Sequence, residues 1–232
     1  KKKSAPNAKK KQVIAKLKKA AAKKPPAPVD PEKVLFVKNR VVFLNSTVDI
    51  KMARSIVARL LYLDSENNQP IQLIINSPGG SVSSGLAIYD TMKAISSPVH
   101  TYVIGRASSM AAILAAAGEP GHRHATRHAQ IMIHEISFAH RHSKITDLRI
   151  RMENSETVNE VLVGCLAEDT HKEKDKLRKL MQRDHYMTAQ EALGFNIIDS
   201  IITSFGAQKV KSPDQDGKTQ ASSETKNRAQ PQ

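Results

Sequence analysis

Val99-His100-Thr101-Tyr102-Val103-Ile104, Gly105-Arg106-Ala107-Ser108-Ser109-Met110 and Ala111-Ala112-Ile113-Leu114-Ala115-Ala116-Ala117 follow one another without a gap, and their reading decides the fold. The first run reads as a strand, a glycine turn follows, and an alanine-rich segment of high helix propensity takes over. A serine at such a strand-to-helix corner is exposed beside a helix N-terminus. Free backbone N–H groups and the helix dipole there favour the oxyanion that forms when a hydroxyl attacks a carbonyl. Met132-Ile133-His134 ends the next apolar run and offers a base for that hydroxyl. These residue types imply hydrolysis by an activated serine.

The same unit recurs on both sides. Val41 to Leu44 reads as a strand, and Ile50 to Leu63 as a helix with Ile56, Val57, Leu60 and Leu61 on one face. Ile71 to Ile75 is a second strand, closed by the tight turn Asn76-Ser77-Pro78-Gly79-Gly80. A helix is expected from Gly85 to Ile95, capped by Ser83 or Ser84. Downstream, Ile131 to Ile133 reads as a strand. A long polar helix from about Thr146 to Leu180, interrupted once, carries a stripe of Leu148, Val158, Val161, Leu162 and Leu166. A short helix from Ala189 ends at Gly194, and Ile197 to Ile202 reads as a closing strand. Repeated strand–turn–helix units imply an α/β fold with a largely parallel sheet under helical cover. Two glycine-containing turns then end neighbouring strands. If they face one cleft, N–H groups of Gly80 and Met110 converge on one point. Spacing does not choose between Ser108 and Ser109.

The 232 residues suffice for one α/β domain. Their net charge of +14 is unevenly spread: eleven lysines and no acid fall in residues 1–28, and residues 207–232 add a further +2, which leaves about +1 for 29–206. The basic pI therefore describes a tail, and nucleic-acid binding is expected only through it. Composition divides the chain into a basic, proline-containing tail expected to be disordered (1–32), a domain (33–206) and a polar tail expected to be disordered (207–232). The single cysteine, Cys165, forms no intramolecular disulfide, which fits a reducing compartment. It falls on the apolar stripe of the long helix and reads as packing, while Asp147, Glu153 and Glu156 read as that helix's exposed face. No apolar run is long enough to span a bilayer. His122, His124, His128, His140 and His142 crowd one region, but their spacing fits no common zinc pattern, so no metal is expected.

Four segments together resemble the proteolytic subunit of the Clp (caseinolytic) protease family over about residues 34–205. They are Ile75-Asn76-Ser77-Pro78-Gly79-Gly80-Ser81-Val82 with Gly85 to Met92, Gly105 to Met110, Met132-Ile133-His134, and Arg183-Asp184-His185-Tyr186-Met187-Thr188-Ala189-Gln190-Glu191-Ala192 followed by Gly194 and Asp199. The resemblance selects Ser109 as nucleophile, His134 as general base and Asp184 as orienting carboxylate, with the N–H groups of Gly80 and Met110 as oxyanion donors. It implies the Clp protease and crotonase type of fold, built of ββα units, with a protruding helical handle from about 143 to 181. It also implies seven-membered rings of this or paralogous subunits, an AAA+ unfoldase as partner, and unfolded polypeptides as substrate. The expected compartment is the bacterial cytoplasm, or the matrix or stroma of an organelle. No cofactor is called for, and no Gly-x-x-x-x-Gly-Lys-Ser/Thr motif is present, so ATP is used by the partner.

The chain departs from the family in places. After His134 it reads Glu135-Ile136-Ser137-Phe138-Ala139-His140-Arg141-His142, where the family has Gln-Pro and a glycine-rich strand. Gln72 and Ile74 stand where the family's docking strand is aromatic, and Thr126-Arg127-His128 replaces a Leu-Pro-Asn type of turn. Residues 25–40 read as too short and too rich in proline for the family's N-terminal helix and pore hairpin together. A non-catalytic or weakly active subunit of a mixed ring is the alternative reading. A crotonase-type acyl-thioester enzyme, sharing the fold without a serine nucleophile, is a more distant one.

Overall fold

In a computed structural model, which describes residues 30–137 and 144–205, the first element is a helix the sequence reading did not expect, α1 (Pro31–Asn39). Asp30 caps it, its carboxylate accepting from the N–H groups of Glu32 and Lys33, and Pro31 stands where a helix needs no N–H. None of its residues is buried, so no apolar periodicity announced it. The expectations for the two tails fall on residues outside those described, apart from residues 30–32, where α1 begins instead of a disordered segment.

Apart from β4 and β6, which no apolar run marks, the rest alternates as the apolar runs suggest: β1 (Val41–Leu44), α2 (Ile50–Glu66), β2 (Ile71–Ser77), α3 (Val82–Ala94), β3 (Val99–Ser108), α4 (Met110–Ala116), β4 (Arg123–Thr126), β5 (Gln130–Ile133), α5 (Ile145–Thr170), α6 (Lys174–Met181), β6 (His185–Thr188), α7 (Ala189–Gly194) and β7 (Ser200–Ile202). The main sheet runs β1-β2-β3-β4-β7 and every pair along it is parallel. β5 branches from the far end of β3, and β6 pairs antiparallel with β5.

Gly105 is where β3 forks. Up to Val103 the strand pairs with β4, and from Arg106 it pairs with β5. The turn expected at Gly105 is thus an irregularity inside a longer strand. Its φ of +74° suits glycine, and Asn76 Oδ1 accepts the Arg106 N–H across the break at 3.3 Å. The true corner comes later, at Ser109.

α4 is buried along its whole length, as a helix apolar on all sides should be, and packs with α3 and α5 over the sheet. Leu44, Leu73, Ile75, Ile88, Leu114 and Ile131 fill the core beneath. Two stripe assignments fail. On α2 the buried face is Ala53, Ile56, Leu60 and Leu63, which leaves Leu61 exposed; on α5 it is Leu162, Val163, Leu166 and Thr170, which leaves Val161 exposed. One position is about 100° of rotation, enough to leave the stripe. Nothing in α5 before Leu162 is buried, while Leu162, Val163, Leu166, Leu177 and Met181 join the core, so the segment expected as a handle from 143 to 181 is core-packed over its second half. The interruption of the long helix falls between Thr170 and Lys174, where His171 takes a left-handed conformation.

α3 is capped by Ser81, whose hydroxyl accepts the Ser84 N–H, rather than by Ser83 or Ser84. Behind α4, the buried Arg123 guanidinium donates to Ala116 O (3.2 Å), to Asp169 O (2.6 Å) and to both carboxylate oxygens of Asp199 (2.9 and 2.6 Å). Burial alone would raise the Asp199 carboxyl, but these hydrogen bonds outweigh it and hold it below the usual carboxylate range. This cluster ties the ends of α4 and α5 to the approach to β7.

Candidate active site

β2 and β3 are parallel neighbours, so the turns that follow them emerge at the same sheet edge. The β2 turn is Pro78-Gly79-Gly80, and the β3 corner is Ser109. Gly79 N–H donates to Ser77 Oγ (3.1 Å), while Gly79 O and the Ser81 N–H bond the backbone of Val48 (both 2.8 Å). A Cβ on Gly79 would lie 2.5 Å from Ser108 O and 2.8 Å from Ser109 Cβ, and its φ is +86°. Only glycine lets the two turns approach this closely.

Ser109 sits at φ +56°, ψ −126°, a region an L-residue seldom occupies. Its N–H donates to Met132 O at 2.7 Å, which locks the corner to β5. Its backbone carbonyl accepts from Ala112 and Ile113, yet its side chain makes no cap hydrogen bond. The hydroxyl therefore takes no part in starting α4.

That hydroxyl meets His134 instead, with Oγ to Nε2 at 2.9 Å. His134 directly follows β5, and its Nδ1 lies 3.1 Å from Asp184 Oδ1. Asp184 directly precedes β6, which pairs with β5 as Ile133 with His185. The second carboxylate oxygen, Asp184 Oδ2, accepts from Tyr186 Oη at 3.3 Å. The serine, histidine and aspartate named from the sequence thus form one chain of hydrogen bonds, extended by a tyrosine the sequence reading passed over. The signal available for Tyr186 was its i+2 spacing from Asp184, which puts both side chains on one side of a strand.

Beside Ser109 lies a small cleft of about 50 Å³ lined by Gly80, Val82, Met110, Ile113, Ile133, His134, Ile136, Ser137, Leu162 and Met181. Among the described residues no hydrogen bond is donated by the N–H of Gly80 or of Met110, and both residues line this cleft. Val82, Ile113, Ile133, Ile136, Leu162 and Met181 stand around it, but most of the surface it exposes is polar. Such a cleft can take a carbonyl against the serine, with its oxygen toward the two N–H groups.

The other sequence candidates lie apart from this cleft. His122 stacks on His100 with ring centres 4.0 Å apart, His124 hydrogen-bonds Ser200 Oγ at 2.7 Å, and His128 is exposed in a turn. Among the described residues no group of three His, Cys, Asp or Glu side chains could hold a metal ion, and His140 and His142 are outside them. Asp147, Glu153 and Glu156 are exposed on α5. Cys165 is half-buried, and burial pushes its thiol up, away from reactivity. No helix among the described residues is long and apolar enough to cross a membrane. The family model described as Clp protease matches residues 30–205 of the chain.

Proposed function

Because this chain belongs to the Clp protease family, whose members are peptidases that form rings with AAA+ partners, we propose that it is a serine endopeptidase acting through Ser109, His134 and Asp184. The observation that carries this reading is the pair of distances at His134, 2.9 Å to Ser109 Oγ and 3.1 Å to Asp184 Oδ1. A hydroxyl becomes a nucleophile when a base takes its proton as it attacks. Ser109 Oγ attacks the peptide carbonyl carbon while its proton passes to His134 Nε2. Asp184 holds the imidazole with Nδ1 protonated and stabilises the imidazolium. The carbonyl oxygen, now an oxyanion, accepts from the N–H groups of Gly80 and Met110. As the C–N bond breaks, His134 returns the proton to the leaving amine, and a Ser109 ester remains. Water then attacks that ester with His134 taking its proton, and His134 returns that proton to Ser109 Oγ as the C–O bond breaks, releasing the acid product and regenerating the serine.

Large apolar side chains exposed on the single chain, among them Ile50, Leu61, Tyr62, Ile145 and Ile150, support burial against neighbouring subunits of a ring. Substrates are unfolded polypeptides, delivered by an ATP-driven partner. The test is labelling of the assembled protein with a fluorophosphonate, followed by peptide mapping. A label on Ser109 that is lost in His134→Ala is the expected result. No label on an assembled ring would overturn the reading in favour of a structural subunit.

A further inference from the structure

We propose that Tyr186 is a positioning residue for the general base, acting through Asp184; the inference rests on the peptidase reading above. Asp184 is 54% exposed, which is unusual for a carboxylate that must hold an imidazole at one angle. Water competes for both of its oxygens, and a free carboxylate on the surface turns about its own bonds. Among the described residues its hydrogen-bond partners are two: His134 on Oδ1 and the Tyr186 hydroxyl on Oδ2. The tyrosine is anchored by the ladder itself, since it pairs with Met132 on β5, two residues before His134. One antiparallel ladder thus sets the imidazole from one strand and both its carboxylate and the clamp on that carboxylate from the other. The other ionisable groups around this rim do not replace the clamp. Glu135 and Arg183 line the same depression but neither bonds Asp184, and the His185 ring lies near Phe195, 6.4 Å between centres. Tyr186 is itself exposed, so its hydroxyl has no burial reason to be there.

Two variants separate the hydroxyl from the ring. Tyr186→Phe removes only the donor; Tyr186→Leu removes the ring as well. Peptidase kinetics on a fluorogenic peptide, with the pH profile of kcat/KM, are measured on assembled wild type and both variants. Loss of a hydrogen bond to a charged group, discounted for the exposure of this pair, is expected to lower kcat by about three- to tenfold in both, with KM unchanged. A carboxylate that spends less time against the ring stabilises the imidazolium less, so the acid limb is expected to move to lower pH. Merely structural damage would lower assembly or melting temperature without moving that limb. An active wild type whose Phe variant matches it in kcat and acid limb overturns the role, including the case where only Leu is impaired. An inactive wild type overturns the peptidase reading itself, and this role with it.

Discussion

His134 and Asp184 occupy the next position on the β5–β6 ladder beyond the pair Ile133 and His185, and their side chains meet there at 3.1 Å. Fifty residues of sequence separation are closed by a ladder of only four pairs. A one-residue slip of β6 would carry Asp184 away from His134 and turn its side chain to the other face. Asp184→Asn leaves this backbone relationship untouched but reverses the preference for the required imidazole tautomer. The expected outcome is an assembled, normally melting protein with kcat lowered on the order of 10⁴-fold. Steady-state peptide hydrolysis beside a thermal melt checks it; near-normal turnover would remove Asp184 from the mechanism.

At the other end of the site, the Ser109 corner rests against Gly79. Alanine there brings Cβ against Ser108 O and Ser109 Cβ, at a φ that L-residues resist. The obstruction is backbone, so the β3 corner must move. A displacement of about 1 Å at a reacting atom costs on the order of a hundredfold in rate. Gly79→Ala is therefore expected to slow fluorophosphonate labelling of Ser109 by about that factor. An unchanged labelling rate would mean the two turns are not held together as closely as their contact indicates.

Much of this was legible in the residues. The core strands are continuous apolar runs, and the Ser109 corner follows from strand, glycine and alanine-rich helix in that order. β4 was missed because Arg123-His124-Ala125-Thr126 carries no apolar run: Arg123 is buried only because Asp199 and two carbonyls receive its guanidinium. β6 was missed because only Met187 of its four residues is buried. Without β6, no periodicity places Asp184 opposite His134, so that residue came from family resemblance alone. Tyr186 stayed unnoticed for the same reason.

The Arg123 cluster makes its own prediction. Removing the partner of a buried charge leaves that charge unpaired, at a cost of about 3–5 kcal/mol. Asp199→Ala should lower stability by that order, and Arg123→Met in the same chain should restore part of it. Because the Asp199 carboxyl is held below its ordinary range, the stabilisation is present above the ordinary carboxylate value and fades as acid protonates Asp199. Chemical denaturation of both variants checks this. A double variant no better than the single one would show that the cluster is more than a charge pair.

A second acid-labile feature lies on the open face of the sheet. His100 on β3 stacks on His122, and His124 lies edge-on to His122 at 6.4 Å between ring centres. Burial, then the nearby His122 and His124, push His100 from 6.5 to about 4, and burial also lowers His124. The folded chain thus refuses protons that the unfolded chain accepts below 6.5. Stability contributed by neutral His100 is complete above that value, falls as pH drops from 6.5 toward 4, and changes no further once both states are protonated. His100→Phe keeps a flat ring on His122 and removes the titrating nitrogens. Across that window its melting temperature should fall less steeply than that of wild type. Parallel melting curves against pH for the two proteins would show that His100 carries none of the acid sensitivity.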